Sequence, residues 1–314
     1  MKRQALEKKD SKNIHHRPSL KWILFSILGI SFIYLAIGAY AANKVTQVDP
    51  NHPKFDKTPG DYGLEYENID FLARGDNLRI SAWFIPNLDA DKALILVHGR
   101  NASKQNAISG TFPRLGSELH NAGYAILMLD LRAHGDSEGK GYSFGVYERR
   151  DVLGAVDWLM DKGFKPGSIG ALGISLGGGA VIGAASEESA IGAVILDSTF
   201  ADINPLIELK WKEESGLPKF FLPGVYLMNQ VIKGYNFKEI KPVNEIKSIP
   251  PRPVLILHCL VDEEVNYSHA EQLNAAIPAS TFVSFDNCSH AELYRDFPDE
   301  YRMTVTSFLA KEFS

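Results

Sequence analysis

Cysteine is nearly absent: the 314 residues hold two, Cys259 and Cys288. That excludes a disulfide scaffold, and their spacing matches no zinc or iron–sulfur pattern. A dominant charge is missing too. The net charge is −5, from 33 Lys+Arg against 38 Asp+Glu, which leaves no broad basic face for nucleic acid. No internal repeat and no low-complexity tract occurs. With 45% hydrophobic and 23% charged residues, the chain is neither disordered nor collagen-like. Its length fits one large domain or two small ones.

The charge that is present is unevenly spread. Residues 1–21 carry seven Lys/Arg against Glu7 and Asp10, a local +5, so the remainder carries −10. Residues 22–42 hold no charge at all. At 1.5 Å per residue this run spans roughly 30 Å, the thickness of a hydrocarbon core. Trp22 and Tyr40 stand near its ends, where aromatic rings favour the interface. The run reads as a transmembrane anchor. A cleavable signal peptide is the rival, because Ala39-Tyr40-Ala41 has a small-x-small pattern. The positive-inside rule keeps residues 1–21 in the cytoplasm and sends the rest across as a single-pass membrane protein. Residues 43–60, with three prolines and no apolar periodicity, read as a stalk. The domain proper occupies residues 61–314.

From residue 62 onward, short apolar runs alternate with amphipathic ones. Strands are expected at 64–72, 79–86, 93–97, 124–129, 168–174, 191–196, 254–257 and 281–285. Helices are expected at 112–122, 146–162, 176–186, 268–276 and 299–311. Buried strands alternating with helices predict an α/β fold, a mostly parallel sheet covered on both faces. Residues 199–250 interrupt the pattern with no convincing strand. There, 217–232 is rich in large apolar residues and split by Pro218 and Pro223. It reads either as ordinary packing helices or as a cap over a substrate pocket.

Gly173-Ile174-Ser175-Leu176-Gly177 is a G-x-S-x-G pentapeptide between an expected strand and an expected helix. That context is the one in which a serine nucleophile sits on a strained strand-to-helix turn, with Gly173 and Gly177 packed closely behind it. A serine needs a general base, and the base needs an orienting acid, in the chain order Ser, Asp/Glu, His. Asp262 and His290 follow successive strands, where open α/β sheets place their sites. Asp197 is the rival acid. Among the other histidines, His98 fits a loop-shaping role, His120 sits on a helix, and His258 and His269 flank the acid. An oxyanion hole takes one backbone N–H from Leu176 and one from the loop after residues 93–97, for which Arg100 is the candidate. Its side chain would face either an anionic substrate group or solvent.

The chain resembles the α/β-hydrolase superfamily, in particular its serine-aminopeptidase-like or lysophospholipase-like branch. The resemblance rests on His98-Gly99, the run Asp130-Leu131-Arg132-Ala133-His134-Gly135-Asp136-Ser137-Glu138-Gly139, the Ser175 elbow, Asp262 and His290. It covers roughly residues 64–312. It implies a serine hydrolase, no metal and no organic cofactor, and a structural role for the 130–139 run. Two departures stand out: Ala133 replaces a common glycine, and Cys259 stands where the family usually has glycine.

The expected function is a membrane-anchored serine hydrolase that cleaves an ester, thioester or amide through an acyl-enzyme. A non-catalytic binding protein on the same fold and a cofactor-free perhydrolase are the alternatives. The expected partners are a small acyl-containing substrate and, through residues 22–42, a membrane; the oligomeric state is open. Asn287-Cys288-Ser289 is formally a glycosylation sequon directly before the expected base, which favours a bacterial over a eukaryotic secretory source. If the loops carrying Asp262 and His290 are neighbours, Cys259 and Cys288 lie within bridging range, either as a disulfide or as two buried thiols.

Overall fold

The computed structural model describes residues 20–49, 55 and 57–313. His15, His16, His52 and all but the last two residues of the expected tail at 1–21 lie outside the described residues. The chain opens with α1 (Leu20–Lys44), then β1 (Glu67–Leu72), β2 (Arg79–Ile85), β3 (Ala93–Val97), α2 (Phe112–Asn121) and β4 (Ala125–Leu129). Next come α3 (Glu148–Asp161), β5 (Ile169–Ile174), α4 (Leu176–Glu187), β6 (Ile191–Asp197), α5 (Ile203–Ser215), α6 (Leu222–Lys233) and α7 (Pro242–Glu245). The chain closes with β7 (Val254–Cys259), α8 (Ser268–Ala276), β8 (Thr281–Phe285), α9 (Leu293–Asp296) and α10 (Pro298–Glu312).

The eight strands form one sheet in the order β1-β2-β4-β3-β5-β6-β7-β8. The β1–β2 and β2–β4 pairs are antiparallel, and every later pair is parallel. Strands β3, β4 and β5 are buried along their whole length, which is why they read as unbroken apolar runs. Successive side chains point to opposite faces. Ile95 and Val97 therefore join the core under α3 and α4, while Leu94 and Leu96 join the core under α2 and α10.

Three expectations need correction. First, β7 runs on to Cys259, so His258 and Cys259 are strand residues, not loop residues. Their pairing with Ser284 and Phe285 of β8 extends the ladder past the apolar run. Second, residues 43–60 do not begin as a stalk. Val45 and Thr46 are buried, and the Tyr142 N–H donates to the Thr46 carbonyl at 2.9 Å. Third, of the two readings of residues 217–232, packing helices and a cap, the first holds, and they do not roof the pocket themselves. Lys219–Phe221 forms a 3-10 turn, Pro223 sits in the first turn of α6, where its missing N–H costs nothing, and α6 packs along α1. The helix over the pocket is α5.

Candidate active site

Ser175 lies between the end of β5 and the first turn of α4, with φ 52° and ψ −111°. A non-glycine residue there is strained. Two glycines make the turn possible. A Cβ on Gly173 would collide with the Gly177 carbonyl, and one on Gly177 would lie 2.5 Å from the carbonyl oxygens of Val97 and His98. The Ser175 N–H donates to the Asp197 carbonyl at 2.8 Å, which ties the elbow to β6.

His290 comes from the loop after β8 and Asp262 from the loop after β7. The His290 Nδ1–H donates to Asp262 Oδ2 at 2.7 Å, and the Ser175 hydroxyl lies 2.9 Å from His290 Nε2. With its Nδ1 proton held by Asp262, the ring presents Nε2 as the acceptor for the serine proton. Asp262 Oδ1 accepts the N–H groups of Glu264 at 2.9 Å and Val265 at 2.8 Å. Burial opposes ionisation of Asp262, but His290 and these donors outweigh it and hold its carboxyl below the usual value. Burial would likewise depress His290. The Asp262 carboxylate outweighs that and holds the imidazole above its ordinary value.

Asp197, the rival acid, is engaged elsewhere. Its carboxylate accepts the hydroxyls of Ser198 at 2.8 Å and Tyr301 at 3.0 Å, and burial pushes it up to about 7. It acts on the base indirectly, because the Ala291 N–H donates to Ser198 Oγ at 3.2 Å. His258 is buried, with Nε2–H donating to the Val265 carbonyl at 2.8 Å, so it braces the turn that carries Asp262. His269 caps the cap segment instead, accepting the Ala201 N–H at 3.2 Å. The His120 ring binds the Pro86 carbonyl at 3.0 Å, away from the site.

The His98 ring spans two loops. Nδ1–H donates to the Gly99 carbonyl at 2.7 Å, and Nε2 accepts the Leu131 N–H at 3.0 Å. The 130–139 run is equally tied down. Buried Asp130 accepts the Lys104 N–H at 2.7 Å, the Lys104 ammonium at 2.5 Å and the Asp136 N–H at 2.9 Å. Ala133, at the family's glycine position, is held at φ 64°, a left-handed conformation that explains the preference for glycine there.

Leu176 is the first residue of α4, so its N–H has no partner within the helix, and the residue lines the cavity beside Ser175. The backbone at Gly99–Arg100 runs beside the serine; a Cβ on Gly99 would lie 3.4 Å from Ser175 Cβ. The Arg100 guanidinium is partly exposed and stands on the wall of both cavities beside Ser175. It pairs with Glu214 of α5 at 2.9 Å and so latches the cap to the oxyanion loop.

Two cavities meet at Ser175 and His290. The first is walled by apolar side chains, among them Val45, Phe144, Phe200, Ile203, Ile207 and Trp211. Its volume is about 90 Å³. The second is a polar cleft bordered by Asn101, Asn106, Ser109 and Glu292. These wall residues escape a motif search. A signal did exist in α5, where Ile203, Ile207, Trp211 and Glu214 recur at helical spacing on one face.

Cys259 and Cys288 form a disulfide, with Cα atoms 5.7 Å apart. It joins the end of the strand that leads to Asp262 to the loop that carries His290. Closing the 29-residue separation is worth about 3–4 kcal/mol in the chain-entropy model. The double variant Cys259→Ser, Cys288→Ser is therefore expected to unfold at a clearly lower denaturant concentration than the oxidised protein. Equal midpoints in a chemical denaturation series would show that the bridge carries no stability.

A family model described as X-Pro dipeptidyl-peptidase (S15 family) matches residues 39–209, more than half of the chain. The uncharacterised protein YqkD of Bacillus subtilis is 29% identical over 235 residues, 73% of this chain and 75% of that one. The uncharacterised protein YfhR of Escherichia coli K12 is 27% identical over 296 residues, 91% of this chain and 93% of that one. Among solved structures, the Pyrococcus furiosus esterase Pf2001 superimposes with a TM-score of 0.70 at 27% identity, covering 85% of this chain and all of that one. The sheet order, the strand-to-helix serine and these likenesses agree: the chain belongs to the X-Pro dipeptidyl-peptidase (S15) family, within the α/β-hydrolase superfamily, and is a serine hydrolase.

Proposed function

We propose that the protein is a membrane-anchored esterase in which Ser175 is the nucleophile, His290 the general base and Asp262 its orienting acid. The observation that carries this reading is the unbroken hydrogen-bond chain from Asp262 through His290 to Ser175, ending where an apolar cavity meets a polar cleft.

Ser175 Oγ attacks the ester carbonyl carbon as its proton passes to His290 Nε2. The imidazolium that forms is stabilised by Asp262. The carbonyl oxygen, now an anion, takes hydrogen bonds from the backbone N–H groups of Leu176 and Arg100, at the amino terminus of α4. The tetrahedral intermediate collapses, and His290 returns the proton to the departing alkoxide. Water then repeats the sequence on the acyl-enzyme, with His290 again as base, and frees the acid and Ser175. Thioesters and amides follow the same route with a thiolate or amine as leaving group. The acyl group occupies the apolar cavity and the leaving group the polar cleft. Helix α1, with a mean hydropathy of 2.1 over its most apolar window, crosses the membrane and leaves its basic flank in the cytoplasm.

A chain-length series of p-nitrophenyl esters tests the reading on the full-length protein. Butyryl and hexanoyl esters are expected to show higher kcat/KM than the acetyl ester, because they fill the cavity behind Trp211. A preference for acetyl, or no hydrolysis anywhere in the series, would overturn it.

A further inference from the structure

Helix α1 has two halves with different surroundings. Residues 20–33 are exposed throughout, whereas from Tyr34 onward one face of the helix is covered. The cover is α6. The Tyr34 hydroxyl donates to the Phe220 carbonyl at 2.8 Å and accepts the Gly224 N–H at 3.2 Å. The Tyr34 and Phe221 rings stack with centroids 5.4 Å apart. Gly38 lets the two backbones meet: a Cβ there would lie 2.9 Å from the Gly224 carbonyl. At the other end the Lys233 ammonium meets the Thr46 hydroxyl, so the two helices run parallel.

The lengths decide where α6 must sit. Between Lys21 and Tyr34 the uncovered, charge-free part of the helix is residues 22–33, which span about 18 Å. A hydrocarbon core is ~30 Å thick and needs at least ~17 helical residues. If α1 crosses a bilayer, the bilayer must therefore also contain part of the segment that α6 covers. Because the helices are parallel, the amino-terminal end of α6 goes in with it. Tyr34 lies eight residues before Ala42, the end of the charge-free run, so this end of α6 reaches ~12 Å below the hydrocarbon boundary.

The surface of α6 suits that position. Pro223, Leu227 and Val231 follow one another at spacings of four along one stripe of α6, and Phe220 of the preceding 3-10 turn adds to it. Phe220, Leu227 and Val231 are 63%, 53% and 67% exposed, and Pro223 is exposed too. A stripe of this kind in water marks an unfilled interaction surface.

Resting on the reading of α1 as an anchor, we propose that the α6 stripe is embedded in the same bilayer, in the leaflet on the domain's side, so that the acyl cavity opens at the membrane surface. Val45, a wall of that cavity, follows the charge-free run by three residues, about 5 Å. The cavity thus stands at headgroup level, where the ester bonds of a glycerolipid lie. The substrate class is an amphiphilic ester held in that leaflet.

The test uses full-length protein in vesicles of phosphatidylethanolamine and phosphatidylglycerol. Leu227→Cys carries an environment-sensitive fluorophore, and Leu88→Cys, 99% exposed and at the other end of the sheet, serves as control. Blue-shifted emission at position 227, quenched by spin-labelled lipid and absent at 88, is the expected result. Water-like emission at 227 in protein that resists alkaline extraction would overturn the embedding while leaving the anchor intact. Release by alkaline extraction would overturn the anchor and the embedding together. A second variant reads the consequence. Phe220→Ser with Leu227→Ser is expected to cut hydrolysis of a fluorogenic phospholipid in the vesicles roughly tenfold and to leave p-nitrophenyl butyrate hydrolysis unchanged. Equal loss on both substrates would overturn the membrane-level opening.

Discussion

Replacing Ser175 with alanine is expected to lower kcat by about 10⁶-fold, the scale seen when a serine hydrolase loses its nucleophile. The fold should survive the change. Among the described residues the Ser175 hydroxyl bonds to His290 Nε2 alone, and the elbow conformation is imposed by Gly173, Gly177 and the Asp197 carbonyl. A fluorophosphonate probe separates chemistry from folding on a single gel. The wild-type protein should be labelled and Ser175→Ala should not, while both melt at similar temperatures. Labelling that persists in the variant would place the nucleophile elsewhere.

Asp262→Asn should cost about 10⁴-fold in kcat, because an amide at this position favours the wrong imidazole tautomer. Its pH profile carries the sharper information. The base must be neutral to accept the serine proton, so activity falls on acidification through the His290 pKa. Burial depresses that pKa, and the Asp262 carboxylate more than reverses the effect, leaving it above the ordinary histidine value. Removing the carboxylate leaves burial unopposed. The acidic limb of kcat/KM should therefore move to lower pH in Asp262→Asn, even as the plateau drops. A limb that stays in place would mean that another group, with Asp197 the first to examine, sets the protonation of the base.

Much of this site could be read from local sequence because its parts are local. The elbow is a five-residue motif with a steric reason for each glycine, and Asp262 and His290 each follow a buried strand. The parallel strands were equally visible, since a strand buried on both faces has to be apolar throughout. What escaped was set by contacts distant in sequence. Nothing local to Val45 announces that it walls a pocket with Trp211, 166 residues away. Arg100 carries no sign that its partner is Glu214. The apolar residues of 217–232 are compatible with a roof over the substrate, but one face of the segment lies against α1 and another is an exposed apolar stripe. The end of β7 was missed for a related reason. His258 and Cys259 break the apolar run but keep the ladder, because one side chain is satisfied by the Val265 carbonyl and the other by the disulfide.

That disulfide gives the acid and the base a property the nucleophile lacks. Asp262 and His290 lie 28 residues apart, and the bond between Cys259 and Cys288 encloses residues 260–287, which take in the exposed turn at Leu260 and Val261, Asp262 itself and helix α8. A single cut by a protease anywhere in that stretch would yield two peptides that remain one molecule. The amino-terminal piece ends within the bracket, and the piece carrying His290 stays stapled to β7. Protein nicked there should run as two bands only after reduction, and with the bond intact it should still present His290 to Ser175.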